Sequence, residues 1–205
     1  MRIELCGPLG VGKTTLARQL SALTGWELVQ EPVDTHPFLK AFYRSPQKFS
    51  LEADLFFLLN YVHQIKAYGT KDIILDRSFI VSRSYAAFSP LSEAERDVLK
   101  ALDEALTHLE PPALILNLAY PSALVLERIM QRRRAMVASV DMGFVSALNE
   151  EIQRQVRQVE DRVNVLHVDM TRYDFERNPD DAAAVLAQAL QKIAEPRHIQ
   201  QRKIA

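Results

Sequence analysis

One octapeptide near the start of the chain, Gly7-Pro8-Leu9-Gly10-Val11-Gly12-Lys13-Thr14, constrains the fold more than any other stretch. It has the spacing of a P-loop, in which four residues separate two glycines, and a lysine and a hydroxyl residue follow. The apolar run Ile3-Glu4-Leu5-Cys6 precedes it, and a helical pattern with Leu16, Ala17 and Leu20 follows it. A strand, a glycine turn and a helix N-terminus together direct backbone N–H groups at one point, which predicts a polyphosphate site.

The side chains of this loop have predicted tasks. Lys13 is expected to reach the β- and γ-phosphates of a nucleoside triphosphate, and Thr14 is expected to hold Mg²⁺. The residues assigned to nucleotide binding are Gly7, Gly10, Gly12, Lys13, Thr14 and Thr15. The motif predicts the phosphate donor but does not identify the acceptor.

The composition excludes several other classes of protein. A chain of 205 residues fits one domain with a full core. A net charge of −1 gives no electrostatic reason to expect a nucleic acid or a membrane as partner, and no apolar run approaches membrane length. Cys6 is the one cysteine, and the first strand begins too early for a signal peptide. We therefore expect a soluble cytoplasmic protein with a buried structural thiol.

Short apolar runs alternate with helical patterns, which predicts an α/β fold with a parallel sheet. Strands are predicted at residues 2–6, 26–30, 72–76, 113–118 and 163–168. A helix is predicted from 46 to about 68, with its apolar stripe at Leu51, Leu55, Leu58, Leu59, Val62 and Ile65. Further helices are predicted after a capping box at Ser92, from Pro121 to Gln131, from Asp141 and after Asn178. One domain is expected over residues 1–195, followed by a polar tail at 196–205.

Charged residues follow two of the predicted strands, where a parallel sheet binds its ligands. Glu31 precedes Pro32, which stiffens the turn, so its carboxylate is either a general base for an attacking hydroxyl or a solvated loop group. Asp76 ends the third strand, where Mg²⁺ or its water shell is expected. Arg77 either pairs with Glu31 and keeps it ionised, contacts a phosphate, or forms a purely structural ion pair.

A basic cluster follows the helix that starts at Pro121, and its members are Arg128, Arg132, Arg133 and Arg134. Such a cluster is either a solvated or nucleic-acid-binding face, or a lid that brings guanidinium groups onto a transferred phosphoryl group. The near-zero net charge favours the lid. The loop after the fifth strand, residues 169–175, either holds an adenine or is an ordinary connection.

These motifs, taken in order, resemble those of the deoxyribonucleoside kinases: the P-loop, Glu31-Pro32-Val33, Asp76-Arg77-Ser78 and the arginine lid. The resemblance covers the chain from Arg2 to about Ile193. It implies a P-loop NTPase fold with a five-stranded parallel sheet flanked by helices, and usually a homodimer. It also implies transfer of the γ-phosphate of ATP, with Mg²⁺, to the 5′-hydroxyl of a deoxynucleoside.

The resemblance assigns roles to individual residues. It implies that Glu31 is the general base, that Asp76 lies near Mg²⁺, and that Tyr43 binds the sugar 3′-hydroxyl. Arg77 is implied to contact the base and the 5′-oxygen region. Catalytic roles are implied for Glu31, Lys13, Arg77, Arg132 and Arg134. Roles in nucleotide binding are implied for Arg128, Arg132, Asp174 and Phe175.

Three candidate substrate-binding positions depart from the family pattern. Asp54 stands where the family usually has a base-reading Gln, Val137 where many members have Glu, and His36 where animal members have Trp. An ionised carboxylate offers only acceptors, and guanine presents two adjacent donors, N1–H and an exocyclic NH₂. Asp54 therefore suggests a guanine preference, unless it pairs with a protein cation and the base is read elsewhere.

Two other functions stay open at the level of sequence. Thymidylate kinases share the P-loop, a Glu-Pro dipeptide and an Asp-Arg dipeptide, but usually continue with Gly-Gly where this chain has Val33-Asp34. A P-loop regulator is the other alternative, either a switch or a module that binds nucleotide without turnover. The chain lacks the Asn-Lys-x-Asp element that reads guanine in GTPase switches.

Overall fold

The fold is built on one parallel sheet, and the computed structural model describes it through residues 1–106, 108–131 and 141–195. The elements are β1 (Arg2–Cys6), α1 (Lys13–Thr24), β2 (Glu27–Val29), α2 (Leu39–Arg44), α3 (Pro46–Tyr68), β3 (Ile73–Leu75), α4 (Phe79–Ala86), α5 (Glu93–Leu106), β4 (Leu114–Ala119), α6 (Ser122–Gln131), α7 (Met142–Val159), β5 (Val165–Asp169) and α8 (Pro179–Ala194). All strand pairs are parallel, in the order β2-β3-β1-β4-β5. The predicted five-stranded parallel sheet is confirmed, and the tail at 196–205 lies outside the described residues.

Helices cover both faces of the sheet, which explains why its strands are largely apolar. Ile3 and Leu5 of β1 pack in one core with α1 and α8. Cys6 packs on the opposite face in a second core with α4 and α7. Because successive side chains of a strand point to opposite faces, a strand between two helical layers is apolar at most of its positions. β1 is the central strand, so the P-loop that follows it emerges at the middle of the sheet.

The observed bounds of α3 agree with the prediction, but only part of the predicted apolar stripe faces the core. Leu58 packs in a core with α5, whereas Tyr61 and Ile65 pack against β2 and β3. Leu59, which we predicted on the buried stripe, is 54% exposed, so that assignment is wrong. Neighbouring helical residues are rotated by about 100°, and Leu58 already occupies the core side. At 23 residues α3 is the longest described helix, and no described helix has the length and apolarity to cross a bilayer.

Two short helices, α2 and α4, were not predicted. α4 begins with Phe79, Ile80 and Val81, residue types that favour strands and obscure a helical pattern. Its one clear signal is Ser78, whose hydroxyl accepts a hydrogen bond from the Ile80 N–H at 3.3 Å and so caps the helix. α2 has only six residues and no capping side chain, which leaves little for a sequence to show.

Gly7 is the loop glycine most tightly constrained by its surroundings. Its φ is +141°, and a Cβ built there would lie 2.8 Å from the Leu118 carbonyl oxygen of β4. We expect Gly7→Ala to lower the free energy of unfolding by about 2–4 kcal/mol, because backbone strain and a clash with fixed backbone add together.

Gly25→Ala is the matched control for this prediction. Gly25 also has a positive φ, +72°, but a Cβ there would meet no atom within 4 Å. We expect it to cost about 1 kcal/mol. Chemical denaturation of both variants measures the difference, and equal losses would contradict the clash with Leu118.

Candidate active site

The P-loop forms an open anion site at the N-terminus of α1. Gly7, Gly10 and Gly12 all adopt positive φ, and Gly12 is the N-cap of α1. No side chain of the described residues caps this helix, so its first N–H groups are available to a ligand. The Lys13 ammonium donates hydrogen bonds to the carbonyl oxygens of Gly7 and Pro8, both at 2.9 Å. The lysine is thus held across the loop, and Thr15 follows in the first turn of the helix.

Thr14 and Asp76, the two predicted metal-side residues, are in direct contact. The Thr14 hydroxyl donates to Asp76 Oδ2 at 2.7 Å. Burial raises the pKa of Asp76, while the Thr14 hydrogen bond and the charges of Lys13 and Arg18 act in the opposite direction. Asp76 Oδ1 is buried and accepts no hydrogen bond from the described residues. A hydroxyl beside a carboxylate oxygen with spare coordination capacity is a donor set that suits Mg²⁺.

Glu31 and Arg77 form an ion pair, which was one of the interpretations left open by the sequence. Their side chains are 19% and 15% exposed, so the pair is only partly solvated. The Arg77 guanidinium lies 4.3 Å above the Phe57 ring and donates from Nε to the Ser82 hydroxyl at 3.1 Å. Burial lowers the pKa of Arg77 to about 10, which still leaves it charged at neutral pH. Arg77 is therefore a fixed cation beside the Glu31 carboxylate.

Glu31 lines a small cleft between β2, α3 and the start of α4. The cleft residues are Glu31, Pro32, Phe57, Asn60, Tyr61, Gln64, Leu75, Arg77 and Ser82. The sequence analysis had given no site role to Phe57 or Ser82, and their spacing on amphipathic helices gave no sign of one. The Tyr61 hydroxyl donates at 2.7 Å to Glu4 Oε1, a fully buried carboxylate on β1. This bond fixes α3 against the strand that leads into the P-loop.

Comparisons with known proteins agree with this geometry. The family model for deoxynucleoside kinases matches residues 3–195, which is nearly the whole described chain. The chain belongs to the deoxynucleoside kinase family. As members of this family are ATP-dependent phosphotransferases that act on a hydroxyl group, the predicted enzyme class is confirmed.

Individual relatives of this deoxynucleoside kinase are distant in sequence. It is 28% identical to a deoxyguanosine kinase of Bacillus subtilis over 90% of this chain and 94% of the relative. It is 26% identical to a deoxyguanosine kinase of Lactobacillus acidophilus over 94% of this chain and 91% of the relative. A solved deoxyadenosine kinase from M. mycoides, with dCMP and dCDP bound, superimposes with a TM-score of 0.78 at 19% identity, over 93% of this chain and 99% of that one. The last likeness supports the fold alone.

Asp54, the predicted base-reading residue of this deoxynucleoside kinase, is a buried carboxylate on α3. It is 8% exposed, and no Lys or Arg among the described residues pairs with it. Burial raises its pKa to about 6, and a hydrogen bond from Ser89 opposes the shift. Oδ2 of Asp54 accepts no hydrogen bond from the described residues. The Asp54 carboxylate is therefore desolvated and short of hydrogen-bond donors.

His36 and Tyr43 occupy contrasting environments. His36 is 6% exposed and both of its ring nitrogens contact backbone groups, so a nucleoside base reaches the ring only after it is uncovered. Tyr43 is 44% exposed on α2, and its phenol interacts electrostatically with Tyr85, which faces Arg77. Substrate contact by either residue stays a prediction.

The remaining nucleotide-side predictions fall at the ends of α6 and β5. Arg128 donates to the Val11 carbonyl oxygen at 3.2 Å and lies 4.3 Å above the Tyr120 ring, so it touches the P-loop. Phe175 is buried in the core, and Asp174 accepts hydrogen bonds from the N–H groups that follow it. Contact of Asp174 or Phe175 with adenine stays a prediction. Arg132, Arg134 and Val137 lie outside the described residues.

Proposed function

We propose that this chain transfers the γ-phosphate of ATP to the 5′-hydroxyl of a deoxynucleoside, with Glu31 as general base. One observation carries the proposal: two consecutive residues join the two halves of the site. Asp76 contacts Thr14 of the P-loop, and Arg77 contacts Glu31 at the cleft. The dipeptide at the end of β3 therefore holds the phosphate-donor side and the acceptor side of the site in a fixed relative position, as in-line phosphoryl transfer requires.

On the donor side, Lys13 exchanges its loop carbonyl oxygens for the β- and γ-phosphates when ATP binds. Thr14 and Asp76 are the protein residues that would hold Mg²⁺, which supplies charge neutralisation of the phosphates. If Mg²⁺ binds here, phosphate oxygens and water would supply its remaining ligands. Arg132 and Arg134 are proposed to add positive charge at the transferred group, with Arg128 beside the P-loop.

On the acceptor side, Tyr43 is proposed to bind the sugar and Asp54 the base, with Val137 as a further candidate. Guanine fits Asp54 best, because its two adjacent donors match a carboxylate that has an unoccupied oxygen. The names of the relatives from Bacillus subtilis and Lactobacillus acidophilus point to the same base. We also propose that the enzyme is a cytoplasmic homodimer. Sedimentation of the purified protein would test its oligomeric state.

A phosphorylation screen tests the function directly. The four deoxynucleosides, their ribose counterparts and thymidine monophosphate are each offered with ATP and Mg²⁺. We expect ADP release to depend on the acceptor and to be fastest with deoxyguanosine. Equal rates with deoxyadenosine and deoxyguanosine would contradict the role of Asp54, and ATP hydrolysis indifferent to any nucleoside would contradict the kinase itself.

The choice between guanine and adenine is expected to depend on pH. The pKa of Asp54 is raised to about 6, so the group gains a proton within a range where the enzyme can be assayed. A protonated carboxyl offers one donor and one acceptor, which matches adenine better than two acceptors do. We expect the ratio of kcat/KM for deoxyguanosine to that for deoxyadenosine to fall as the pH drops from about 7.5 to about 5.

Asp54→Asn is the control for this prediction, since its amide does not titrate in that range and the ratio should lose its pH dependence. The stability of the protein supplies an independent check. Because the folded pKa of Asp54 exceeds the unfolded value, the folded state binds more protons and stability falls as the pH rises through that interval. Asp54→Asn should remove this component of the pH dependence.

A further inference from the structure

His36 is held by the protein on every side of its ring. The Phe38 N–H donates to His36 Nδ1 at 3.2 Å, and Nε2 lies 3.3 Å from the Ala53 carbonyl oxygen of α3. Since Nδ1 accepts a hydrogen bond, the proton of a neutral ring resides on Nε2 and points at Ala53. The ring centroid lies 4.3 Å from that of Phe56 and 4.4 Å from that of Phe57. His36 therefore ties residues 31–38, here called the β2 loop, to α3.

Phe57 connects this contact to the predicted reaction centre. One side chain, Phe57, touches the His36 ring and also lies under the Arg77 guanidinium, at 4.3 Å from its Cζ. Arg77 in turn pairs with Glu31, which begins the β2 loop. The contacts close a circuit from Glu31 through Arg77, Phe57 and His36 back to the same loop. The two ends of the loop are thus fixed to one aromatic ring of α3.

We propose that His36 is a positioning residue, which holds Glu31 and Arg77 in their reactive arrangement through Phe57. The role rests on the proposed function of Glu31 as the base. It differs from contact with the nucleoside, because the buried ring offers almost no free surface and its nitrogens are engaged by backbone groups. Burial also lowers the pKa of His36, which keeps the ring neutral and able to accept the Phe38 hydrogen bond. A misplacement of about 1 Å at a reacting group can cost about 10²-fold in rate, so a small loop movement is sufficient to matter.

Three variants test the proposal in kinetic terms. His36→Leu removes the ring and both hydrogen bonds, and we expect kcat to fall about tenfold with the KM for ATP nearly unchanged. His36→Gln keeps a donor and an acceptor, and we expect it to recover most of the loss. His63→Leu is the matched control, because His63 is an exposed histidine on α3, and its activity should stay at the level of the parent.

A double-mutant cycle shows whether His36 acts through Glu31. In the Glu31→Gln background, His36→Leu should cost almost nothing further, since there is no longer a base to position. An equal loss in both backgrounds would overturn the proposal. A raised KM for the nucleoside with unchanged kcat would also overturn it, because that pattern indicates substrate contact.

Amide hydrogen exchange gives a readout that does not depend on catalysis. His36→Leu should speed exchange at Val33 and Phe38, whose N–H groups bond within the β2 loop, and leave α1 unchanged. Unchanged exchange in the loop would overturn the proposal. If Glu31→Gln proved fully active while loop exchange still responded to His36→Leu, the failure would lie in the proposed base and not in the contact that holds the loop.

Discussion

Glu31→Gln is expected to lower kcat about 10²–10⁴-fold with only a modest change in KM. Glutamine has nearly the same shape and can still accept a hydrogen bond from Arg77, so the loop and the cleft should keep their geometry. What the amide cannot do is take the proton of an attacking hydroxyl. The expected loss is thus confined to the chemical step, and single-turnover measurement of phosphate transfer is the direct test.

Asp34→Asn provides the control for loop electrostatics. Asp34 is an exposed carboxylate in the same loop, three residues after Glu31, and we expect its replacement to change kcat by less than about threefold. If Glu31→Gln left turnover unchanged, Glu31 would not be the base. If both variants lost activity equally, the effect would come from the charge of the loop and not from one proton acceptor.

Lys13→Met is expected to lower kcat by about 10²–10³-fold, because a charge aimed at the transferred phosphoryl group is lost. The variant also removes two hydrogen bonds to the carbonyl oxygens of Gly7 and Pro8. Those bonds stabilise the loop without nucleotide, so a smaller decrease in unfolding free energy, about 1–2 kcal/mol, should accompany the kinetic loss. Phosphate-transfer kinetics and denaturation of the same preparation separate the two effects.

Arg18→Met distinguishes contact with phosphate from positive charge in general. Arg18 is exposed on α1 and, like Lys13, acts to lower the pKa of Asp76. We expect its replacement to change kcat by less than about threefold, since it donates nothing to the P-loop carbonyl oxygens in the described contacts. A loss comparable to that of Lys13→Met would show that the local field near Asp76, and not a phosphate contact, explains the lysine.

The strands were predictable because burial on both faces leaves a simple signature. β1 matches the predicted residues fully, and β2 differs from the predicted 26–30 by one residue at each end. Capping chemistry was equally local. The Ser92 N–H donates to Glu95 Oε2 at 2.7 Å, and the Glu95 N–H donates back to the Ser92 hydroxyl. These features depend on neighbouring residues and can be recognised without tertiary contacts.

The site was predictable only where residues sit at the ends of strands. Thr14 and Asp76 meet because β1 and β3 are adjacent, and Arg77 reaches Glu31 because β2 and β3 are adjacent. His36 could not be placed in this way, since its partner Ala53 is seventeen residues away on a helix whose docking no local pattern reveals. The lid arginines Arg132 and Arg134 remain predictions, as does Val137.

The thiol of Cys6 gives this enzyme an internal probe of its nucleotide site. Burial raises the pKa of Cys6 to about 12, so at neutral pH the folded chain holds almost no reactive thiolate at the residue that directly precedes the P-loop. As the chain has one cysteine, alkylation by a thiol reagent reports only the opening of the central strand. A bound nucleotide suppresses opening in proportion to its saturation of the site. The rate of alkylation at increasing ATP concentration would therefore measure nucleotide affinity without any turnover, in catalytically dead variants as well as in the active protein.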